Sequence, residues 1–202
     1  MSVEGVPLKL GRRTLVARAS GALWWAEERL LAFADLHLEK GSSYAAHGAL
    51  LPPYDTRDAL LRMTAEIDRL DPAAIVCLGD SFHDQSAGDR MSVRDRETLA
   101  ILQEDRKWFW LSGNHDPKIA PCFGGRVLSE ITLSGITFRH EPSASPVTHE
   151  IAAHLHPAAR VSFHGHVIRR PCFVANGNRL VMPAFGAFTG GLNVCNEAFA
   201  SI

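Results

Sequence analysis

The chain has 202 residues, of which 46% are hydrophobic and 21% are charged. This composition fits one globular domain over 1–202 with a sizeable core, and it excludes a mainly disordered chain. The 21 basic and 22 acidic residues nearly cancel, so the totals predict no overall positive field for bulk nucleic-acid binding. No apolar run approaches membrane-spanning length and the first seven residues do not resemble a leader, so we expect a cytoplasmic protein without membrane contact.

The apolar pattern predicts strands at both ends of the chain and helices between them. Four short β-like runs come first, at 8–10, 14–17, 22–25 and 30–34. Helical spacing follows over 55–71 and 92–105, and each segment leads into an apolar run, at 73–78 and 108–111. Further β-like segments lie at 127–133, 136–139, 151–156, 160–163, 171–175 and 179–182. This order predicts an α/β fold with two packed mixed β-sheets flanked by helices.

Polar residues follow three of the apolar runs, each at a predicted strand end. They are Asp35-Leu36-His37, Gly79-Asp80 and Gly113-Asn114-His115-Asp116. Three such ends in one sheet can meet at one crevice. In an extended segment Asp35 and His37 lie on one face and can bind one ion together, and His154 and His156 have the same spacing. Either pair alone also fits solvated turn residues.

Taken together, the candidate ligands form a mixed oxygen and nitrogen set that suits Mn²⁺, Fe²⁺ or Zn²⁺. They are Asp35, His37, Asp80, Asn114, His140, His154 and His156. So many ligands are more than one catalytic ion with open positions needs, and they suit two ions. A paired site roughly 3.5 to 4 Å across needs a bridging carboxylate. Asp80 is the natural candidate for it.

The order of these motifs, D-x-H, G-D-x-x-H, G-N-H-D, H and H-x-H, resembles the calcineurin-like metallophosphoesterase superfamily over about 35–156. Longer stretches are similar to the bacterial ligase-associated DNA damage response endonucleases (PdeM). These stretches are Asp35-Leu36-His37-Leu38-Glu39-Lys40-Gly41, Gly79-Asp80-Ser81-Phe82-His83-Asp84, His140-Glu141-Pro142, His154-Leu155-His156-Pro157, Arg170-Pro171-Cys172-Phe173-Val174, Pro183-Ala184-Phe185-Gly186 and Thr189-Gly190-Gly191. The resemblance implies a four-layer αββα sandwich and a dinuclear metal-dependent phosphoesterase.

The resemblance also implies which residue holds which ion. The first ion would be held by Asp35, His37 and His156, the second by Asn114, His140 and His154, and Asp80 would be shared. One departure from the family concerns the final pair, because the superfamily usually has Gly before H-x-H and this chain has Ala153. A Gly lies instead between His164 and His166, which form a rival pair. We prefer the earlier pair, because the segment after it then keeps the family register.

Two further histidines are expected to act in catalysis. His115 is expected to serve the transition state, because an imidazole beside the ions can donate a proton or hydrogen bond to the leaving oxygen. The protein-phosphatase branch of the superfamily usually has Asp three residues after the metal-binding Asp, and His83 at this place resembles the DNA-repair nuclease branch. Asp84 and Asp116 are candidates either for orienting the site or for helix caps.

The resemblance implies cleavage of phosphodiester bonds in DNA, single-stranded or branched, during repair. Mn²⁺ is the expected metal before Fe²⁺ or Zn²⁺, and a DNA ligase or helicase is the candidate protein partner. Two alternatives remain open: a small-molecule phosphatase or nucleotide phosphodiesterase with the same site, and a catalytically weak, metal-stabilised scaffold subunit of a repair complex. Arg169 and Arg170 either contact phosphates or are solvated at a strand end.

Overall fold

The structure is a computed structural model that describes residues 5–200 and 202. The expectation that the chain starts without a leader falls partly on residues 1–4, which lie outside the described part. The first sheet has seven strands whose spatial order is their chain order. They are β1 Val6–Leu10, β2 Arg13–Ala17, β3 Leu23–Trp25, β4 Leu30–Phe33, β5 Ala74–Cys77, β6 Lys107–Leu111 and β7 Arg126–Leu128. Strands β1 to β4 form an antiparallel meander, whereas β4 to β7 are parallel.

Helices connect the parallel strands and cover one face of the first sheet. They are α1 Lys40–Ala46, α2 Asp55–Leu70, α3 Ala87–Arg90 and α4 Val93–Gln103. Strand side chains alternate between faces, so Ile75 and Cys77 pack with α2 and α4 while Val76 packs with the second sheet. A strand buried on both faces must be continuously apolar, which explains the uninterrupted run at 73–78.

The second sheet packs on the other face of the first. Its strands are β8 Glu130–Leu133, β9 Ile136–Arg139, β10 Glu150–Ala152, β13 Val174–Ala175 and β14 Arg179–Val181, in the order β13-β14-β10-β9-β8. Strands β9, β10 and β14 are parallel. Ile136, Phe138 and Ile151 are fully buried against the first sheet. The predicted α/β class with two packed mixed sheets is therefore confirmed.

The outer face of the second sheet is covered by the C-terminal segment. A 3-10 helix, Glu197–Phe199, places Phe199 against Ala152 and Val181. This short element lies in the outer layer that the resemblance to an αββα sandwich assigns to helices. Among the described residues, no helix has the length and apolar character needed to cross a membrane.

The structure corrects two strand predictions. The single strand predicted at 127–133 is two strands, because the chain leaves the first sheet after β7 and enters the second at β8. Side-chain periodicity does not encode which sheet a strand joins. A third sheet, in the order β12-β11-β15, contains two strands that the sequence pattern did not predict, β12 and β15. Its strands are β11 Pro157–Phe163, β12 His166–Pro171 and β15 Leu192–Asn193.

Candidate metal centre

The carboxyl ends of β4, β5 and β6 deliver three candidate ligands to one edge of the first sheet. Asp35 follows β4, Asp80 follows β5 and Asn114 follows β6. These strands are parallel neighbours, so their carboxyl ends meet at the same edge. The prediction that three strand ends share one crevice is confirmed.

The second sheet supplies the other histidines from across the crevice. His140 follows β9 directly, and His154 and His156 follow the adjacent strand β10. Gly79 lets His140 approach the first sheet, because a Cβ at this glycine would lie 2.6 Å from the His140 ring. His140 Nδ1 also lies 2.8 Å from the Leu78 carbonyl oxygen. The imidazole is thereby fixed with Nε2 toward the crevice, since a carbonyl oxygen accepts only from a protonated nitrogen.

Most of the candidate ligands have left-handed backbone conformations. Positive φ angles of 44° to 67° occur at Asp35, His37, Asp80, His154 and His156. Such angles are uncommon for residues with a side chain and concentrate at functional sites. They also correct the expectation of an extended D-x-H segment. The two side chains of each pair converge because the backbone kinks at both residues, and strand alternation is not the cause.

Asp35, His37 and His156 form the first ligand group. Their candidate ligand atoms all lie within 4.8 Å of one another. Asp35 Oδ1 is 3.2 Å from His156 Nε2. The Asp35 carboxylate also accepts the backbone N–H of His154, at 3.2 Å, which ties the first group to the chain segment that carries the second.

Asp80, His140 and His154 form the second group, with ligand atoms within the same 4.8 Å limit. Asn114 Oδ1 joins it at 3.0 Å from both His140 Nε2 and His154 Nδ1. Asp80 Oδ2 lies 3.4 Å from His140 Nε2 and 3.9 Å from His37 Nε2. One carboxylate oxygen therefore lies between the two groups, as a bridging ligand must.

The rival pair His164 and His166 lies away from this cluster. Both side chains are exposed at the turn between β11 and β12. Neither belongs to any group of potential ligands found among the described residues. The structure thus brings His154 and His156 to the crevice and leaves the rival pair at the surface.

The protonation of the buried groups matches the chemistry of metal ligands. Burial is the main cause that lowers the pKa of His37 to about 3, against the opposing charge of Asp80. His37 is therefore neutral near pH 7, which is the form that coordinates metals. Its Nδ1 is buried without a hydrogen-bond partner among the described residues.

His140 behaves in the opposite way. Burial alone would lower its pKa, but the interaction with Asp80 and the charge of Asp35 outweigh it and raise the pKa to about 9. Burial likewise opposes ionisation of Asp80, yet the contact with His140 holds its pKa at about 2. Two buried carboxylates require compensating positive charge. In the metal-free protein a protonated His140 supplies part of it, whereas a cation coordinated at His140 Nε2 would replace that proton and supply the positive charge instead.

Asp116 holds the loop that carries Asp80. This side chain is 1% exposed, and its oxygens accept the backbone N–H groups of Asp80, Ser81, Phe82 and Gly113 at 2.8 to 3.1 Å. It is thus a positioning residue, as one of the two sequence alternatives proposes. Asp84 accepts from the Ser86 backbone and pairs with Arg90 at 2.7 Å, outside the ligand cluster.

His83 and His115 form a stacked pair at the edge of the cluster. Their ring centroids are 5.1 Å apart and the ring planes differ by 25°. The His115 backbone N–H donates to Asp80 Oδ1 at 2.9 Å, and its Nδ1 lies 3.0 Å from the His83 carbonyl oxygen. That oxygen can only accept, so Nδ1 carries the hydrogen in this contact.

His37 also lies near this pair, and the three imidazoles form a third group within 4.8 Å. This trio contains no carboxylate, unlike the two groups above. Sequence reasoning missed the neighbours Lys40 and Tyr44. The Tyr44 ring lies 5.8 Å from the His83 ring, and the Lys40 charge contributes, after burial, to lowering the pKa of His83. Only the fold reveals their place, because α1 returns them to the crevice.

Two packed mixed sheets with Asp, Asn and His side chains at their shared strand ends define a dinuclear phosphoesterase architecture. A family model described as calcineurin-like phosphoesterase matches residues 28–177. The chain belongs to this family and is a metal-dependent phosphoesterase.

A solved structure, that of the Pseudomonas putida nuclease MPE, is similar over almost the whole fold. The TM-score is 0.78 and the sequence identity is 27%, with 95% of this chain and 92% of that chain covered. No curated protein sequence shows significant similarity to the chain.

The family implies divalent metal ions, and the side chains present fit them. The donor set is oxygen and imidazole nitrogen, the two carboxylates are buried, and His37 is held neutral. Divalent ions in such a site neutralise phosphoryl charge and activate water. The chain's own contribution is to fix Asp80, whose backbone N–H donates to Asp116 and whose Oδ1 accepts the backbone N–H of His115.

Proposed function

We propose that the protein is a DNA phosphodiesterase, a nuclease that acts on single-stranded or branched DNA during repair. One observation carries the proposal: His83, at the position where phosphatases of the superfamily usually have Asp, stacks on His115 beside the bridging carboxylate. An imidazole pair can bind a diester oxygen without adding negative charge beside the phosphate. The similarity to a nuclease supports the same substrate class.

The proposed ligands follow the two groups in the crevice. Asp35, His37 and His156 hold one ion, Asn114, His140 and His154 hold the other, and Asp80 bridges them. His115 in its imidazolium form gives the Nε2 proton to the leaving oxygen, while the His83 carbonyl oxygen accepts from Nδ1–H and orients the His115 ring. We propose Mn²⁺ as the native metal on the resemblance of the motifs, since the mixed oxygen and imidazole donor set by itself suits Mn²⁺, Fe²⁺ and Zn²⁺ alike. The site lies within one domain over 1–202.

Hydrolysis of matched esters tests the substrate class. With Mn²⁺ present, bis-p-nitrophenyl phosphate and circular single-stranded DNA should be cleaved, and p-nitrophenyl phosphate should be a poorer substrate. Cleavage of the circle also reports endonucleolytic action. Faster turnover of the monoester than of the diester, with the circle intact, would show a phosphatase. A protein that binds two ions and cleaves none of these substrates would be a scaffold.

Variants of the stacked pair sharpen this test. His83→Asp restores the residue typical of phosphatases and should lower diester turnover more than monoester turnover. His115→Ala should lower DNA cleavage strongly and the hydrolysis of the two p-nitrophenyl esters less, because p-nitrophenolate leaves with little protonation. Equal effects of His83→Asp on both esters would contradict the role assigned to His83.

The proposed cytoplasmic repair role includes a DNA ligase or helicase as protein partner. It rests on the resemblance of motifs across the chain. Affinity purification of the tagged protein from its own host, with an Asp80→Ala variant as a matched bait, tests it. A ligase or helicase should be recovered with both baits, since the contact should not depend on catalysis.

A further inference from the structure

The hairpin of β11 and β12 projects from the edge of the candidate metal centre. It begins at Pro157, directly after the candidate ligand His156. Residues 160–171 are all exposed, so both faces of the ribbon meet solvent over most of its length. β12 pairs with β11 on one side, while β15 joins β11 only at Pro157 and Ala158. Packing in the core does not account for the apolar and charged side chains of the exposed part of this hairpin, so a binding role is the alternative.

The charge of the hairpin is entirely positive. Its charged residues are Arg160, Arg169 and Arg170, and 157–171 contains no Asp or Glu. Arg160 lies directly opposite Arg169 in the strand register. Like charges in this arrangement repel and destabilise a strand pair, whereas a bound anion would relieve the repulsion. The chain as a whole has a net charge of −1, so this cationic ribbon is a local feature.

Two of the arginines are free to bind an anion. Arg169 donates to the Gly191 carbonyl, which fixes it at the base of the hairpin. Arg170 donates only to the Arg169 carbonyl, and Arg160 makes no hydrogen bond or ion pair to a described residue. A cavity of about 170 Å³ is lined by His156 together with Arg169 and Arg170. The cationic ribbon is therefore continuous with the metal centre.

Apolar side chains lie on the same ribbon. Val161 pairs with Ile168, and Phe163 follows two residues later on the same face. Phe163 is 64% exposed. Phe163 shares this face with Arg170, which pairs with Ala159, whereas Arg160 and Arg169 lie on the other face. An exposed aromatic ring on a cationic ribbon suits a single nucleic-acid strand, because its bases stack on rings while its phosphates bind arginines. Duplex DNA is a poorer fit, because its bases are stacked inside the helix. A second copy of the chain is also a poorer fit, because its arginines would repel the arginines of this hairpin.

We propose that the β11–β12 hairpin is a single-strand binding arm, on which Phe163 stacks on a base and Arg170, on the same face, binds a phosphate, while Arg160 binds a phosphate from the opposite face of the ribbon. The arm holds the strand whose phosphodiester lies at the metal centre. The inference deepens the proposed function and rests on it for the choice of DNA, but strand binding is measurable without cleavage.

The test compares an Arg160→Ala/Arg170→Ala variant with a charge-matched control, Arg94→Ala/Lys107→Ala. Both control residues are exposed. Arg94 lies at the start of α4, and Lys107 lies at the start of β6, whose other end leads to Asn114. Fluorescence anisotropy with a labelled single-stranded oligonucleotide in EDTA gives affinity at several salt concentrations. Each lost phosphate contact should lower the slope of log affinity against log salt by about 0.7, so the arm variant should lose about 1.4. The control variant should keep the wild-type affinity, salt slope and hydrolysis of bis-p-nitrophenyl phosphate.

A second variant addresses the ring. Phe163→Ala should weaken oligonucleotide binding about fivefold or more, and Phe163→Tyr should retain it. Wild-type affinity and salt slope in the arginine variant would overturn the inference. So would a Phe163→Ala variant that changes the oligomeric state in sedimentation while binding DNA normally, because the ribbon would then be a self-association surface. If the wild type fails to hydrolyse the diester, the proposed function is wrong. The oligonucleotide affinities of the variants still test whether the hairpin binds a single strand.

Discussion

At the residue scale, the candidate site is built from residues in unusual states. Asp35 and Asp80 are ionisable groups in a buried environment, and both have left-handed backbone angles. Such conformations cost free energy that the surrounding packing must offset. His37 is held neutral while His140 is held cationic. The crevice thus keeps His37 neutral, the form that binds a metal ion, while the buried carboxylates attract positive charge. A bound cation would satisfy both conditions.

Metal-free stability should depend on the protonation of His140. Its folded pKa of about 9 lies above the ordinary value of 6.5. The proton therefore stabilises the folded state fully below pH 6.5, and this contribution is lost as the pH rises through 9. Thermal unfolding in EDTA should show a melting temperature that falls over this range. His140→Gln should flatten the dependence, and an unchanged slope in that variant would contradict the assignment.

Replacing individual histidines should separate ligands from surface residues. His156→Ala should weaken metal binding by at least about 100-fold, since even outer partners of metal ligands contribute up to that much. His166→Ala should leave binding unchanged, because this side chain is exposed on the hairpin. Metal content after dialysis, measured by mass spectrometry, gives the comparison. Loss of metal only in the His166 variant would establish the rival pair.

At the element scale, the loop after β5 is held against the loop after β6. Asp116 accepts backbone N–H groups from both loops. The approach is close enough that Gly113 has no room for a side chain, since a Cβ there would lie 2.2 Å from Asp80 N and Oδ1. The position of Asp80 therefore depends on a residue that carries no functional group.

Gly113→Ala should displace Asp80 and destabilise the fold. Overpacking of this kind costs about 1 to 3 kcal/mol, which urea unfolding can measure, and metal content should fall with it. Gly190→Ala is the matched control, because a Cβ there meets nothing within 4 Å and its φ is not in the strained positive range. Equal effects of the two substitutions would refute the close contact as the cause.

At the scale of the whole molecule, the crevice joins two sheets that otherwise meet through apolar packing. The first sheet supplies Asp35, Asp80 and Asn114, and the second supplies His140 with the H-x-H segment. Ions bound here would bridge the sheets and stabilise the folded chain by linkage, because the unfolded chain does not present the ligands together.

Removal of metal should therefore lower the melting temperature. At Mn²⁺ concentrations near 100 times the dissociation constant, linkage contributes about 2.7 kcal/mol, which corresponds to roughly 5 to 10 °C for a chain of this size. Scanning calorimetry with Mn²⁺ and with EDTA measures the difference. Asp80→Asn should abolish most of it, whereas a shift that persists in this variant would place the ions elsewhere.

Much of the site follows from local sequence. The apolar runs before Asp35, Asp80 and Asn114 predict buried strands with polar ends, because only a strand covered on both faces is continuously apolar. The order of the polar motifs predicts the family, and the matching family model confirms it. Short-range periodicity therefore predicted most of the strands and the fold class, while the order of the motifs and their family resemblance supplied the candidate residues.

The tertiary structure alone decided how these residues meet. Periodicity does not encode strand partners, so it neither divides 127–133 between two sheets nor shows that β12 is exposed. Spacing makes His154 and His164 equally suitable as the start of an H-x-H pair, and only the parallel pairing of β9 with β10 brings the first of them beside His140. The reason is physical: ligand distances depend on contacts between segments far apart in the chain, which local propensity does not contain.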